Sequence, residues 1–360
     1  MNLPKLDNFD FKGKKVLVRC DLDVPLKNGV VADDARLREC LPTINYLLGQ
    51  EVEKVVLMGH LGRPLRQVYT GRSQDVQGKP GGKVVEEFSL KPVADKLRDL
   101  LGLEKLGKFG DSGGFEIAKN IFLLENLRFD PREESNDEGF AKELAGLGDF
   151  YVNEAFAVSH REHASIVGVP KFLPHCAGIH FASEVENLSK VLENPKKPVV
   201  FVIGGAKPET KLPYIADFAR VADWVLVGGL LVRDRERDRD RVRDNIIYAD
   251  LIGNGLDISQ ESIRQFEEII KSAGTVVWNG PLGKYEDEKW EAGTKRIGES
   301  IANSTAFKVA GGGDTIAALK KFGLLDKIDY VSTGGGAMLE FLAKGILPGI
   351  EALRQRQRQR

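Results

Sequence analysis

Short, almost wholly apolar runs rich in β-branched residues recur along the chain, and segments with helical spacing lie between them. In the first half the runs are KKVLVRCDLDV (14–24), EKVVLMGHL (53–61), NIFLLENLRF (120–129) and FYVNEAFAV (150–158), with LKPVADKLRDLLG (90–102) reading as an intervening helix. The second half repeats the rhythm with PVVFVIGGA (198–206), DWVLVGG (223–229), TVVWNG (275–280), FKVAGGG (307–313) and DYVSTGGGA (329–337). Strands that stay apolar on both faces and alternate with helices predict parallel sheets covered on both sides, an α/β chain. At 360 residues the chain exceeds what one core usually holds, and its 42% hydrophobic content supplies two. The expected architecture is therefore two doubly wound parallel-sheet domains. The helical stretch FASEVENLSKVLENPKKP (181–198), ended by Pro195 and Pro198, lies between them.

In open α/β sheets, ligands bind beyond the carboxyl ends of the strands. The two halves differ there. Strand ends of the first half carry Asp21 and Asp23, then His60 and Arg63, then Asn126 and Arg128, then His160 and Arg161. Those of the second carry GGAK (204–207), GG (228–229), WNGPLG (278–283), GGGDT (311–315) and GGGA (334–337). A lone arginine after a strand is as a rule a solvated surface residue. Recurrence at four successive strand ends points instead to a small, highly charged anion, whose oxygens match the fork of a guanidinium. Glycine turns before a helix let backbone N–H groups approach phosphate oxygens. The acid of AGGGDT can hold a magnesium ion. Neither this turn nor STGGGA is a Walker A loop or a dinucleotide fingerprint. Lys207 and Lys211 are four apart, so a helix beginning at GGAK would send both ammonium groups to one side. An anion half and a nucleotide half predict phosphoryl transfer between two ligands brought together by closure.

A net charge of −1 excludes the general basic excess of a nucleic-acid or membrane-surface protein. Cys20, Cys40 and Cys176 have neither disulfide-framework nor CxxC spacing, which fits a reducing cytoplasm. The N-terminal MNLPKLDNFDFKGKK lacks an apolar core, and no run approaches the roughly 18 apolar residues of a membrane span, so a soluble protein is expected.

The motifs VRCDLDVPL, DDARLR, GHLGRP, LLENLRF, NEAFAVSHREHAS, GGAKPETK, VVWNGPLGKYE, GGGDT and STGGGA occur in this order, and together they resemble the phosphoglycerate kinase family. The resemblance covers residues 14 to about 230 and 250 to 353. It implies a cytoplasmic, monomeric, hinge-bending glycolytic enzyme of two Rossmann-like domains. Its reaction is magnesium-dependent phosphoryl transfer from 1,3-bisphosphoglycerate to ADP, giving 3-phosphoglycerate and ATP, with neither nucleic acid nor membrane as partner. The domains it implies are 1–182 for 3-phosphoglycerate, a helical hinge over 183–198 and 199–343 for the nucleotide, with 344–360 packing back on the first. It assigns Asp21, Asp23, Arg36, His60, Arg63, Arg128 and Arg161 to the phosphoglycerate. Arg36, Lys207 and the amides of Gly334, Gly335 and Gly336 would attend the group in flight. The nucleotide would meet Gly205, Lys211, Gly228, Gly229, Leu256, Asn279, Pro281, Gly312 and Gly313, with Glu286 on the ribose, Thr315 on phosphate and Asp314 on Mg²⁺.

The chain departs from the family pattern in four places. Asp23 stands where the family usually has Asn, adding an anion beside an anionic substrate. At about 4 Å that repulsion is worth roughly 1 kcal/mol in water and several in a partly buried site, unless an arginine compensates. Pro208, Glu209 and Thr210 alter the phosphate loop, though proline is tolerated in a helix's first turn. Lys284 replaces an apolar residue near the adenine, where its aliphatic stem can still cover a base. Fourth, GGLL is followed by arginines at 233, 235, 237, 239, 241 and 243 alternating mostly with acids, where the family has several dozen further residues. With its charges nearly balanced, this run predicts a solvated helix or connector, and RQRQRQR (354–360) a frayed tail. The competing reading is a weakened binding protein of the same fold that uses these Arg-rich segments for a partner or RNA.

Overall fold

The computed structural model describes residues 1–64, 86–103, 108–109, 113–233 and 243–355. The chain divides into two units, Met1–Ser183 with the segment from Leu347 on, and Glu184–Ile346. A helix over Ile179–Leu192 runs from one into the other.

In the first unit the apolar runs form strands Lys15–Arg19, Lys54–Met58, Ile121–Leu124, Phe150–Asn153 and His175–Ala177. All five are parallel, and in chain order they stand 3-2-1-4-5 across the sheet. Val16, Leu17 and Val18 are all fully buried, which is why the first run shows no polar alternation. One side packs into a core that includes Phe11, Leu37, Ile44, Val55 and Phe150. The sheet is not purely parallel: Gly114–Ala118 and Lys108–Phe109 add an antiparallel edge, which the sequence pattern did not reveal. The run FYVNEAFAV is extended only as far as Asn153, whose side chain accepts from the Ala155 N–H at 3.0 Å and turns the backbone into a 3-10 turn at Phe156–Val158.

The main sheet of the second unit is wholly parallel. Its strands Val199–Ile203, Trp224–Val227, Ile246–Tyr248, Thr275–Asn279, Phe307–Gly311 and Tyr330–Ser332 stand in the order 3-2-1-4-5-6. Trp278, Phe266 and Ile270 fill the core between the sheet and its helices. The third strand, Ile246–Tyr248, follows the charged run directly and was missed as a strand by the sequence reading. Asn245 pins it, donating to Ala219 O (3.0 Å) and Ala222 O (2.9 Å). Most of the charged run (234–242) and the end of the tail (356–360) lie outside the described residues. Among the described residues no helix is long and apolar enough to cross a membrane.

Candidate functional site

In each sheet the order of winding reverses beside the first strand, opening a crevice at its carboxyl end. In the first unit that crevice lies between Lys15–Arg19 and Phe150–Asn153. Asp21 leaves the first strand there and accepts from the Ala157 N–H at 2.8 Å. Burial raises its carboxyl's pKa, against the pull of Arg36 and Arg19. Arg36 stands in the first turn of helix Ala35–Gly49, half-buried, donating to the Asp23 carbonyl at 2.7 Å. His60 is buried at the end of the next strand. Burial, then the charges of Arg19 and Arg128, hold it well below the ordinary histidine range, so the ring is neutral. Arg128, also buried, donates to Gly62 O (2.7 Å) and sits 2.9 Å from a Glu134 oxygen; burial lowers its pKa to about 10. Arg161 belongs to the same cluster, adding its charge to those felt by His60 and Arg128. Arg63 is exposed.

Two groups that organise this cluster escaped the sequence reading. Arg19 is fully buried and donates to Ser165 Oγ (2.8 Å), Cys20 O (2.6 Å) and toward His60 Nδ1 (3.1 Å). Its contact fixes the His60 tautomer, leaving the proton on Nε2. Glu133, likewise buried, accepts from the Ser165 hydroxyl (2.5 Å) and amide (3.0 Å), balancing Arg19 through that serine. A charge at the end of an otherwise apolar strand was the available signal for Arg19. The carboxylate of Asp23 takes the Gly62 N–H at 2.9 Å and stands 3.8 Å from His60 Nε2.

In the second unit the crevice lies between Val199–Ile203 and Thr275–Asn279, and Lys211 occupies its floor. The ammonium donates to Gly204 O (2.6 Å) and Asn279 O (3.1 Å), the terminal carbonyls of the two strands. Burial lowers its pKa to about 8, with Asp314 pulling the other way. The helix begins at Leu212, after a 3-10 turn over Pro208–Thr210, so the condition for both lysines sharing one side is not met: Lys207 is exposed while Lys211 is turned inward. Gly229 has φ +63°, and a Cβ there would meet the Gly205 amide nitrogen at 2.8 Å, so the two glycine turns touch backbone to backbone.

Gly312 starts the helix Gly313–Lys321, and the Asn279 side chain lies beside it. Asp314 is exposed in that helix's first turn. Thr315 is fully buried, and its hydroxyl accepts from the Gly280 N–H at 2.6 Å, fixing the turn that carries Pro281. Gly335 precedes helix Gly336–Lys344, leaving the amides of Gly335 and Gly336 at its start, while the Gly334 N–H donates to Ser332 Oγ at 3.1 Å. Leu256 is half-buried, its carbonyl bound to the Lys284 N–H at 2.8 Å. Glu286 is exposed, and the Lys284 ammonium lies 3.7 Å from Asp287.

A sequence model described as "Phosphoglycerate kinase" matches residues 6–234 and 232–344. The chain belongs to the phosphoglycerate kinase family. The phosphoglycerate kinase of Herpetosiphon aurantiacus is 38% identical over 408 residues, covering 98% of this chain and 99% of that protein. That of Pelotomaculum thermopropionicum is 39% identical over 402 residues, covering 96% and 98%. Among solved structures, phosphoglycerate kinase from Coxiella burnetii superposes with a TM-score of 0.81 at 33% identity, over 99% of this chain and 100% of that one. The enzyme from Pyrococcus horikoshii does so with 0.78 at 29% identity. An alignment of 408 residues exceeds a chain of 360, so several dozen residues of that family member have no counterpart here. The family match is itself in two pieces that meet at 232–234, where the charged run begins.

Proposed function

We propose that this family member carries out the reversible transfer of a phosphoryl group between 1,3-bisphosphoglycerate and ADP. The observation that supports it best is the pair of switch-point crevices, one lined by guanidinium groups around a neutral histidine and the other by helix-start amides around a desolvated lysine.

Arg36, Arg128, Arg161, His60 and Asp21 would hold 3-phosphoglycerate, with exposed Arg63 reaching it from solvent. Neutral His60 serves as a hydrogen-bond donor through Nε2, since its Nδ1 faces Arg19. Lys211, Asn279 and the turns at Gly205, Gly229 and Gly312 would receive the nucleotide phosphates, with Leu256 and Lys284 beside the base. Lys207 and the amides of Gly335 and Gly336 remain for the transferring group. The attacking carboxylate oxygen is already ionised, so the chain needs no general base; positioning and charge neutralisation carry the rate.

Among the described residues no three or more His, Cys, Asp or Glu groups gather to hold a metal. A single exposed carboxylate, Asp314, suits Mg²⁺, which keeps water and substrate phosphates as its other ligands. The ion would supply charge neutralisation of the phosphates. Closure about the connecting helix, with 183–198 as hinge, would bring the two ligands together, the protein acting as a cytoplasmic monomer. A coupled assay with MgATP and 3-phosphoglycerate tests the reading directly; no turnover by the intact chain would sink it.

Asp23 offers a sharper test of the substrate site. Asn at this position can still accept the Gly62 N–H, because only one carboxylate oxygen is used there. Asp23→Asn therefore sheds a negative charge without freeing that amide. The dissociation constant for 3-phosphoglycerate should fall about fivefold, roughly 1 kcal/mol, by calorimetry. An unchanged constant would mean that neighbouring arginines already neutralise Asp23.

A further inference from the structure

The first arginine of the charged run has a defined contact. Beyond Gly229 the chain continues as a 3-10 turn through Arg233, with Leu231 and Val232 buried beneath it. These two apolar residues anchor the backbone, so Arg233 leaves a fixed point although its side chain is exposed. Its guanidinium donates through Nη2 to the Asn254 carbonyl. It also occupies the space beside Gly255 that a side chain would need: a Cβ there would meet Nη2, Nε and Cζ at 2.7, 2.9 and 3.0 Å.

The turn it grips joins the hairpin strands Leu251–Ile252 and Asp257–Ile258. Three consecutive residues in it have positive φ, Gly253 (+57°), Asn254 (+57°) and Gly255 (+80°). Such a turn carries few alternatives that an ordinary side chain could adopt, and it exposes carbonyls that need donors. At Gly253 the turn rests on the Trp290 ring, which fills the space a Cβ would take there. The next residue, Leu256, binds the Lys284 N–H through its carbonyl at 2.8 Å. Trp290 thus supports the turn from one side, Lys284 fixes its exit, and Arg233 supplies the remaining donor.

We propose that Arg233 is a positioning residue of the nucleotide site, holding the 253–255 turn so that Leu256 presents a fixed wall to the base. This rests on the nucleotide reading given above. It also gives the start of the charged run a task, at the point where the family match breaks and the relatives' additional residues are missing. The contact needs a donor long enough to pass Gly255 and reach the Asn254 carbonyl. Lysine keeps the charge but its ammonium ends one atom short of Nη2 and lacks the guanidinium fork.

The test uses the full chain and MgADP. Arg233→Ala should raise the MgADP dissociation constant about fivefold, equivalent to about 1 kcal/mol, and raise KM for the nucleotide to match. Arg233→Lys, whose ammonium ends one atom short of Nη2, should recover part of that loss, and Arg233→Gln, two atoms short, less. KM for 3-phosphoglycerate and kcat at saturating nucleotide should stay within twofold of the unsubstituted chain. Equal affinity for MgADP in the alanine variant and the unsubstituted chain would overturn the proposal. So would a loss shared equally by 3-phosphoglycerate, which would indicate a general disturbance of the fold. Failure of the unsubstituted chain to bind MgADP at all would overturn the nucleotide reading and this proposal with it.

Discussion

Arg36→Ala should lower kcat by a factor on the order of 10² to 10³ while leaving the MgADP dissociation constant unchanged. Removing one preorganised donor from a developing charge costs roughly 2.7–4 kcal/mol of barrier in comparable sites. Arg36 is preorganised in that sense. Its guanidinium is tied to the Asp23 carbonyl at 2.7 Å, it stands in the first turn of a helix whose other end is packed in the core, and its charge acts on the Asp21 carboxyl across the crevice. Arg36→Lys should recover only part of the rate, because an ammonium keeps the charge but loses the fork. Steady-state kcat in both directions, with calorimetric binding of each ligand, checks the expectation. A kcat within threefold of the unsubstituted chain would remove Arg36 from the transfer step. A loss confined to the KM for 3-phosphoglycerate would make it a ground-state contact only.

The difference between what the sequence disclosed and what it hid follows from the kind of constraint at each position. The central strands were legible because burial on both faces forces unbroken apolar runs such as VVFVI. The edge strands Lys108–Phe109 and Ile246–Tyr248 were not, since two or three residues at a sheet edge need no such run. The arginine and histidine ends of the first sheet stood out as charges placed after strands. Arg19 was marked only by its charge within an apolar strand, and nothing in one sequence says that Ser165 and Glu133 will meet it.

The paired lysines show the cost of a misplaced helix start. Pro208 opens a 3-10 turn, the helix is delayed to Leu212, and one lysine is buried while the other reaches solvent. Thr315 carries a contact that its position beside Asp314 does not announce: its hydroxyl accepts from the Gly280 amide, while its own proton stays available to donate. Asp23 sits between these cases. Its charge was readable as a departure, whereas its bond to Gly62, contributed by a different strand end, was not.

The largest expected effect on stability lies at Glu154, at the end of strand Phe150–Asn153, with 1% of its surface exposed. One of its oxygens accepts from the Thr43 hydroxyl (2.7 Å) and the His180 N–H (3.1 Å), the other from the Phe181 N–H (3.0 Å). Thr43 in turn accepts from the Ile179 N–H at 2.8 Å. One side chain therefore joins the anion sheet, helix Ala35–Gly49 and the first turn of the connecting helix. Glu154→Ala leaves three buried donors without acceptors, each costing about 1–3 kcal/mol, and should destabilise the first unit by about 4 kcal/mol. Burial also pushes the Glu154 carboxyl from its usual value of 4.5 up to about 8, despite those hydrogen bonds and with nearby Asp21 reinforcing the rise.

A carboxyl with a raised folded pKa holds its proton more tightly in the fold. Its contribution is fully present below about pH 4.5 and is lost as pH climbs through about 8. His60, His163 and His180, all lowered by burial, work in the opposite sense, because their unfolded rings still hold protons at and somewhat above about pH 6.5. Relative to Glu154→Gln, which keeps the same histidines, the stability of the first unit should therefore fall by about 1.4 kcal/mol per pH unit between about pH 5.5 and 7, which is one proton released on unfolding. Glu154→Gln keeps an acceptor oxygen but has no proton to lose, so urea unfolding of that variant across the same range should show the histidine-driven rise without the downward component. An identical slope in the two proteins would place the titrating group elsewhere, with buried Asp21 and Glu133, both raised by burial, as the groups to substitute next.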